Sequence, residues 1–334
     1  MKINLTSKAP KTINQKFSFY TEELWKKYKK NHGNNIYSLF SGKKNETFIS
    51  VENDSINFLI GLGEKPENFE LQSVASKFSY DFRKKIQSEN TEINAQNFDA
   101  AQILELVKGL FLGTYEYPFK EEHPFFMKGF NLVSNKVSEK ELKEIELKTL
   151  AVCEGQFACM EWLNKPQNYK RVPQISKFLK EISKKHQFKL TVFDRKKCEE
   201  LGMGAFLAVN QGSSQEAAFT ILEYHSGVKN AKTVGLVGKC VLFDTGGISI
   251  KPSDNLHYMK SDMGGATAVI GTLIAAAEMK LPVNITAILP ITDNAVSNNA
   301  YIPSDVITAY NGKTIEILNT DAEGRMTLAD GLSY

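Results

Sequence analysis

Residues 237–252 read VGKCVLFDTGGISIKP, and the fold follows from how this stretch is divided. Cys240–Phe243 is an apolar run of the length of a buried strand. Asp244 follows it directly, and Gly246-Gly247 then let the backbone approach a ligand closely. An acid at the carboxyl end of a strand is where open α/β sheets build their sites. Two later stretches repeat the theme of an acid beside glycine at the start of a helix. MKSDMGGA (259–266) opens the stripe Ala266, Val269, Ile270, Leu273 and Ala277, which predicts a helix over Asp262–Lys280. NTDAEGRMTLAD (319–330) opens a helix over Gly324–Tyr334.

Around these stretches, strands are expected at Phe188–Phe193, Ala217–Tyr224, Lys232–Val237, Val283–Leu289 and Thr314–Leu318, with short helices at Arg195–Leu201 and Ala205–Asn210. Strands alternating with helices imply a largely parallel or mixed sheet covered on both faces. Upstream, Ser138–Leu163 reads as one long helix. Ser138 and Glu141 are spaced as a capping box, and Asn164-Lys165-Pro166 stops the helix because the residue before proline avoids helical angles. Before it, Thr47–Val51 and Ile56–Gly61 read as strands about an Asn53-Asp54 turn. Leu71–Ile86 and Ala100–Leu112 read as helices, and Tyr117–Pro124 as a polar link. The expected fold class is therefore α/β: a small N-terminal α/β domain (1–137), a linker helix (138–165) and a C-terminal α/β/α sandwich with a mixed central sheet (166–334).

The 334 residues, 42% hydrophobic and 24% charged, describe an ordinary globular protein long enough for about two domains. A net charge of +3 with scattered lysines argues against nucleic acid and anionic membrane as partners. The N-terminal MKINLTSKAPKTINQK has no apolar core and is not a secretory signal, and the most apolar stretch, Ala266–Met279, falls short of a membrane span. Cys153, Cys159, Cys198 and Cys240 form no CxxC pair and read as reduced, buried thiols. A cytoplasmic location is expected. The five histidines, His32, His123, His186, His225 and His257, form no i, i+4 pair and no HExxH.

Taken singly, each acid has a plain explanation: Asp244 as a turn cap, Asp262 as a helix N-cap, Asp321 and Glu323 as a surface turn. Lys239 is harder to explain, because apolar strand sequence flanks it on both sides and a buried amine needs a carboxylate or a metal beside it. Asp321 and Glu323, two apart, would point the same way in an extended segment. Four carboxylates brought together need counter-charge, and two divalent cations balance them: the arithmetic of a two-metal hydrolase.

VGKCVLFDTGG, KSDMGGA and NTDAEGRM followed by LAD resemble the leucine aminopeptidase (cytosol aminopeptidase) family of dinuclear metallo-exopeptidases. The likeness is strong from about Gly202 onward and weaker in FLIGLG (58–63) and KGLFLGTYEY (108–117). The resemblance implies that Asp244 and Glu323 bridge two metal ions, manganese or zinc. Lys239 and Asp262 then complete the tighter site and Asp321 the more exchangeable one. It also implies that Lys251 and Arg325 are catalytic, with a bicarbonate at Arg325 as general base, and that Met259, Lys251 and Asn319 bind substrate. The implied reaction is metal-dependent hydrolysis of N-terminal residues, Leu and other apolar ones, from peptides by a homo-oligomer that is hexameric in the family.

Relatives continue past the position of Tyr334, so the resemblance implies a C-terminally incomplete sheet whose exposed edge invites aggregation or a partner. A catalytically silent assembly subunit, or a DNA-binding regulatory member, are the alternative functions. Thr245, Asp293 and Ile302 depart from the family pattern, as does Cys240, which is expected to make the site sensitive to oxidation.

Overall fold

The computed structural model describes residues 13–32, 39–52, 54–86, 91–117, 130–134 and 136–334. Residues 1–12 of the N-terminal stretch, Asn53 of the expected turn, most of the Tyr117–Pro124 link, His123 and the side chain of His32 lie outside them. Chain contacts divide the protein into two compact units, Met1–Cys153 and Glu154–Tyr334.

The first unit runs β1 (Gln15–Thr21), α1 (Glu22–His32), β2 (Thr47–Glu52), β3 (Ser55–Gly63), α2 (Asn68–Asp81), β4 (Thr91–Asn94), α3 (Ala100–Leu112), β5 (Asn131–Val133) and the start of α4 (Glu139–Asn164). Its sheet has the order β2-β3-β1-β4-β5, antiparallel only between β2 and β3. Phe17, Phe58 and Phe78 pack edge to face at its core. Helix α2 starts at Asn68, not Leu71, because Glu67 and Glu70 form a reciprocal capping box there; it stops at Asp81, and residues 82–85 form turns. Ser138 and Glu141 cap α4 as expected, with Ser138 Oγ donating to Glu141 Oε2 at 2.7 Å and Glu141 N to Ser138 Oγ at 3.3 Å.

The second unit continues with α5 (Val172–His186), β6 (Lys189–Phe193), α6 (Arg195–Glu200), α7 (Gly204–Asn210), β7 (Ala218–Tyr224), β8 (Thr233–Val237), β9 (Cys240–Asp244), α8 (Gly264–Glu278), β10 (Asn284–Asn294), β11 (Val306–Thr308), β12 (Thr314–Glu316) and α9 (Glu323–Ser333). Strand β10 organises the sheet. Antiparallel β7 lies along one side of it, with β6 beyond, and on the other side β8 pairs parallel with its first half and β9 with its second. Strands β8 and β9 are thus one edge interrupted at Gly238-Lys239, where Gly238 N still donates to Ile288 O and Lys239 O accepts from Ala266 N at the start of α8.

Side chains alternate along the strands, as the pleat requires. Leu222, Ala287 and Leu289 join Ile175, Leu179, Ile270 and Leu273 of α5 and α8 in one core. Phe219, Ile221 and Ile288 face the other way, onto Cys198 and Phe206 of α6 and α7. Helices on both faces of a mixed sheet make this unit an α/β/α sandwich.

Candidate metal centre

The carboxyl ends of β9 and β10 carry the site. Asp244 is the last residue of β9, and its side chain is 2% exposed. Its Oδ1 accepts from Gly246 N and from Asn294 Nδ2, both at 2.9 Å, so two fixed donors set its orientation. Gly246 and Gly247 have φ of +87° and +67°. A Cβ at Gly246 would lie 2.5 Å from Ser249 O, and one at Gly247 2.8 Å from Thr320 Oγ1, so neither position accepts a side chain without strain. Buried Thr320 ties this loop to the following motif: its Oγ1 donates to Gly246 O at 2.6 Å and accepts from Ser249 N, while its carbonyl accepts from Tyr301 Oη and Asn294 Nδ2.

Lys239 projects from the break between β8 and β9. Its Nζ lies 2.8 Å from Asp262 Oδ1 and 2.7 Å from Glu323 Oε1. Lys251 Nζ lies 2.9 Å from Asp244 Oδ2 and is ion-paired with Asp321. Two amines thus interleave four acids. Asp244, Asp262 and Glu323 each offer an oxygen such that all three atoms lie within 4.8 Å of one another. Asp321 is outside that trio and joins it through Lys251.

The local structure corrects two readings. Asp262 is not an N-cap: α8 begins two residues later behind Met263, and Asp262 closes a 3-10 turn, Leu256–Ser261, with its side chain on Lys239. Asp321 and Glu323 do not sit in an extended segment. Asp321 lies in the 3-10 turn Thr320–Ala322, Glu323 begins α9, and each meets a different lysine. The expected oxidation sensitivity at Cys240 is also overturned: the thiol is fully buried, and burial pushes its pKa up to about 12, so the reactive thiolate is suppressed.

The electrostatics are those of acids crowded in a poor solvent. Burial, with Asp244 nearby, pushes the Glu323 carboxyl up to about 7 against the pull of Lys239. Burial also raises Asp262. Burial alone would lower both amines, but Asp262 and Glu323 hold Lys239 above its ordinary value, and Asp321 and Asp244 do the same for Lys251. Glu323 is 1% exposed, yet neither of its oxygens has a hydrogen-bond donor; Lys239 stands at ion-pair distance without hydrogen-bond geometry. Lys239 offsets the charge at Oε1 only in part, as the raised pKa shows, and Oε2 has no hydrogen-bond partner, so a further electropositive group there would be stabilising. Oxygens and one amine are a donor set for divalent cations such as manganese or zinc.

The remaining expected residues surround this cluster. Met259 lies in the 3-10 turn before Asp262, half-buried. Asn319 is exposed, and its Oδ1 accepts from Asp321 N at 2.8 Å, shaping that turn. Arg325 is exposed and has no carboxylate partner among the described residues. Sequence reasoning missed Asn294, Thr320, Tyr301 and Lys170. Lys170 is fully buried; its ammonium donates to Trp162 O at 3.0 Å and to Lys260 O, pinning the turn that carries Met259 and Asp262. Burial draws its pKa down to about 8.

Residues 157–334, which contain every one of these groups, match the model of the cytosol aminopeptidase family, catalytic domain. The chain belongs to the cytosol aminopeptidase family. It is 36% identical over 312 residues to a probable cytosol aminopeptidase of Rickettsia bellii (strain RML369-C), covering 88% of this chain and 62% of that protein. A probable cytosol aminopeptidase of Nitrosomonas eutropha is 45% identical over 215 residues, covering 64% of this chain and 43% of that protein. The chain thus spans roughly half the length of the curated relatives it matches. Among solved structures, the bottromycin maturation enzyme BotP in complex with Mn superposes with a TM-score of 0.81 at 24% identity over 96% of this chain and 68% of that one, a likeness of fold. Among the described residues of this family member, no helix is long and apolar enough to cross a membrane.

Proposed function

We propose that this chain performs metal-dependent aminopeptidase chemistry, releasing N-terminal residues, Leu and other apolar ones foremost, from peptides. The observation that carries the proposal is the convergence of Asp244, Asp262 and Glu323 around a buried carboxylate without donors. Family membership supports the same reading. Asp244 and Glu323 would be shared by two divalent ions, with Lys239 and Asp262 completing one site and Asp321 the other. Manganese is favoured by the structural neighbour in complex with Mn, zinc by the donor set.

Bound there, the ions would polarise the scissile carbonyl and make water a stronger nucleophile. The chain's own residues supply the rest. Asn294 and Gly246 hold Asp244 in one orientation, so the site is rigid before substrate arrives. Lys251 is the ammonium placed to meet negative charge developing on the carbonyl oxygen. Arg325, without a carboxylate partner among the described residues, holds an anion, bicarbonate in this proposal, that takes the proton from water. Met259 lines the space for the first side chain, and Asn319 offers its amide Nδ2 to the peptide. The division into residues 1–137, a linker at 138–165 and a catalytic domain at 166–334, the hexameric assembly and the cytoplasmic location belong to the same proposal.

The test is metal analysis of the purified protein combined with hydrolysis of a leucyl amide with and without added manganese. Two ions per chain with manganese-dependent turnover supports the proposal. Two ions with no turnover points instead to a silent assembly subunit, and a chain that binds no ion removes the proposal altogether.

A further inference from the structure

The opposite end of the sheet carries a second cluster of ligand-type side chains. His186 ends α5, its side chain only 2% exposed, and stacks on Phe188 with ring centroids 5.6 Å apart. Its Nδ1 lies 3.0 Å from Glu278 Oε1, at the end of α8, and its Nε2 lies 3.4 Å from Glu154 Oε1 on α4. Buried Nε2 has no hydrogen-bond partner. The three side chains each offer an atom within 4.8 Å of the others. His186 and Glu278 border a surface recess of about 380 Å³ that Lys185, Tyr224, His225 and Lys280 also line. The recess lies beside Asn284, where β10 begins, while Asn294 at the far end of that strand touches Asp244. The eleven-residue strand β10 sets its two ends about 30 Å apart, so this cluster is no extension of the metal centre.

We propose that His186, Glu154 and Glu278 form a binding site for a single divalent transition-metal ion of the zinc class. With the Nδ1 proton donated to Glu278, the imidazole is fixed in the tautomer whose Nε2 lone pair faces Glu154. A carboxylate orienting a histidine whose other nitrogen binds metal is the arrangement that raises ligand basicity and holds the ring. Nε2 and the Glu154 carboxylate are the protein ligands, and water reaching the ion on the side of Glu154, whose side chain is 37% exposed, completes the coordination. Nitrogen with carboxylate oxygen, and no thiolate, suits zinc rather than calcium or magnesium. Lys185 is the built-in competitor: its ammonium, 59% exposed, is paired with the same Glu154 oxygen and must swing into solvent when metal binds. A bound ion would tie α4 and α5 together, with α8 holding the imidazole through Glu278.

The experiment is Zn²⁺ titration of the full chain, counting tightly bound zinc and following the thermal midpoint, for the wild type and three variants. His186→Phe keeps an aromatic ring beside Phe188, and it should bind one zinc fewer per chain than wild type, with turnover unchanged. That difference of one holds whether the other centre takes two ions or none, so failure here and failure of the aminopeptidase reading are distinguishable. Glu278→Gln should weaken this zinc about 10- to 100-fold, the usual cost of losing an orienting partner, and Lys185→Met should tighten it. Glu278 is 39% exposed, so its variant folds and decides the question if His186→Phe does not. Equal zinc stoichiometry and affinity in the wild type and the folded variants would overturn the proposal.

Discussion

Gly324→Ala tests the geometry of Lys239 without touching Lys239. A Cβ at position 324 would stand 2.7 Å from Lys239 Cε, 2.8 Å from Cδ and 2.9 Å from Nζ. Carbon atoms in contact prefer roughly 3.5–4.0 Å, so the lysine must retreat by about 1 Å. That movement pulls Nζ from its 2.7 Å approach to Glu323 and its 2.8 Å bond to Asp262. Two opposing effects decide stability. Alanine in a helix is better than glycine by up to about 1 kcal/mol. Removing the partner of a buried charge costs about 3–5 kcal/mol, and a displaced but present ammonium loses only part of that. The metal-free variant should therefore be destabilised by about 1–2 kcal/mol in denaturant titration. Metal affinity should fall at least 10- to 100-fold, since even outer partners of metal ligands carry that much, and leucyl amide turnover should fall with it. Gly331→Ala is the control: its Cβ meets Val237 Cγ1 at 2.9 Å and nothing in the site, so it should lower stability and spare metal binding. If Gly324→Ala binds both ions and turns over as the wild type does, Lys239 plays no part in holding metal.

Lys251→Ala should lower kcat about 10²- to 10³-fold, the cost of losing one oxyanion donor, with metal content intact; undiminished turnover would refute its role. Asn294→Ala removes the Nδ2 donor from Asp244 and Thr320 O and should weaken metal binding about 10- to 100-fold, measured by competition with a chelating dye. The Glu323 carboxyl, raised by burial from 4.5 to about 7, imposes a pH dependence. Its contribution to the stability of the metal-free fold is complete below about 4.5 and is lost as pH rises through about 7. Metal needs the ionised form, so affinity should drop about tenfold per pH unit below 7; flat affinity from pH 5 to 8 would contradict this.

Much of the C-terminal unit was legible because its signals are local. The apolar run Cys240–Phe243 ending in Asp244 became β9, and the stripe from Ala266 became α8. Helix α5 was overlooked although Val172, Ile175, Leu179, Ile182 and His186 recur at helical spacing, and proline stands in its first turn. Strands β4, β5 and β11 were missed because segments of three or four residues owe their conformation to neighbours; β1, seven residues long, was missed as well and is held between β3 and β4. Strand β10 extends five residues past Leu289 because β9 offers it a partner there. At the site, residue types were readable but partnerships were not. Nothing in the order of residues says that Asn294 must orient Asp244, or that Asp321 and Glu323 would part to separate lysines, since both depend on where β10 and α9 bring distant segments.

The pin formed by buried Lys170 has an evolutionary consequence. One ammonium secures the short turn that carries Met259, proposed to line the substrate space, and that ends at Asp262, proposed to hold metal. On the proposed roles, any drift in sequence that reshapes this turn to admit a bulkier substrate also moves an acid of the candidate metal centre. Taste for substrate and appetite for metal are therefore inherited together, and lineages that change one should show compensating change around the other.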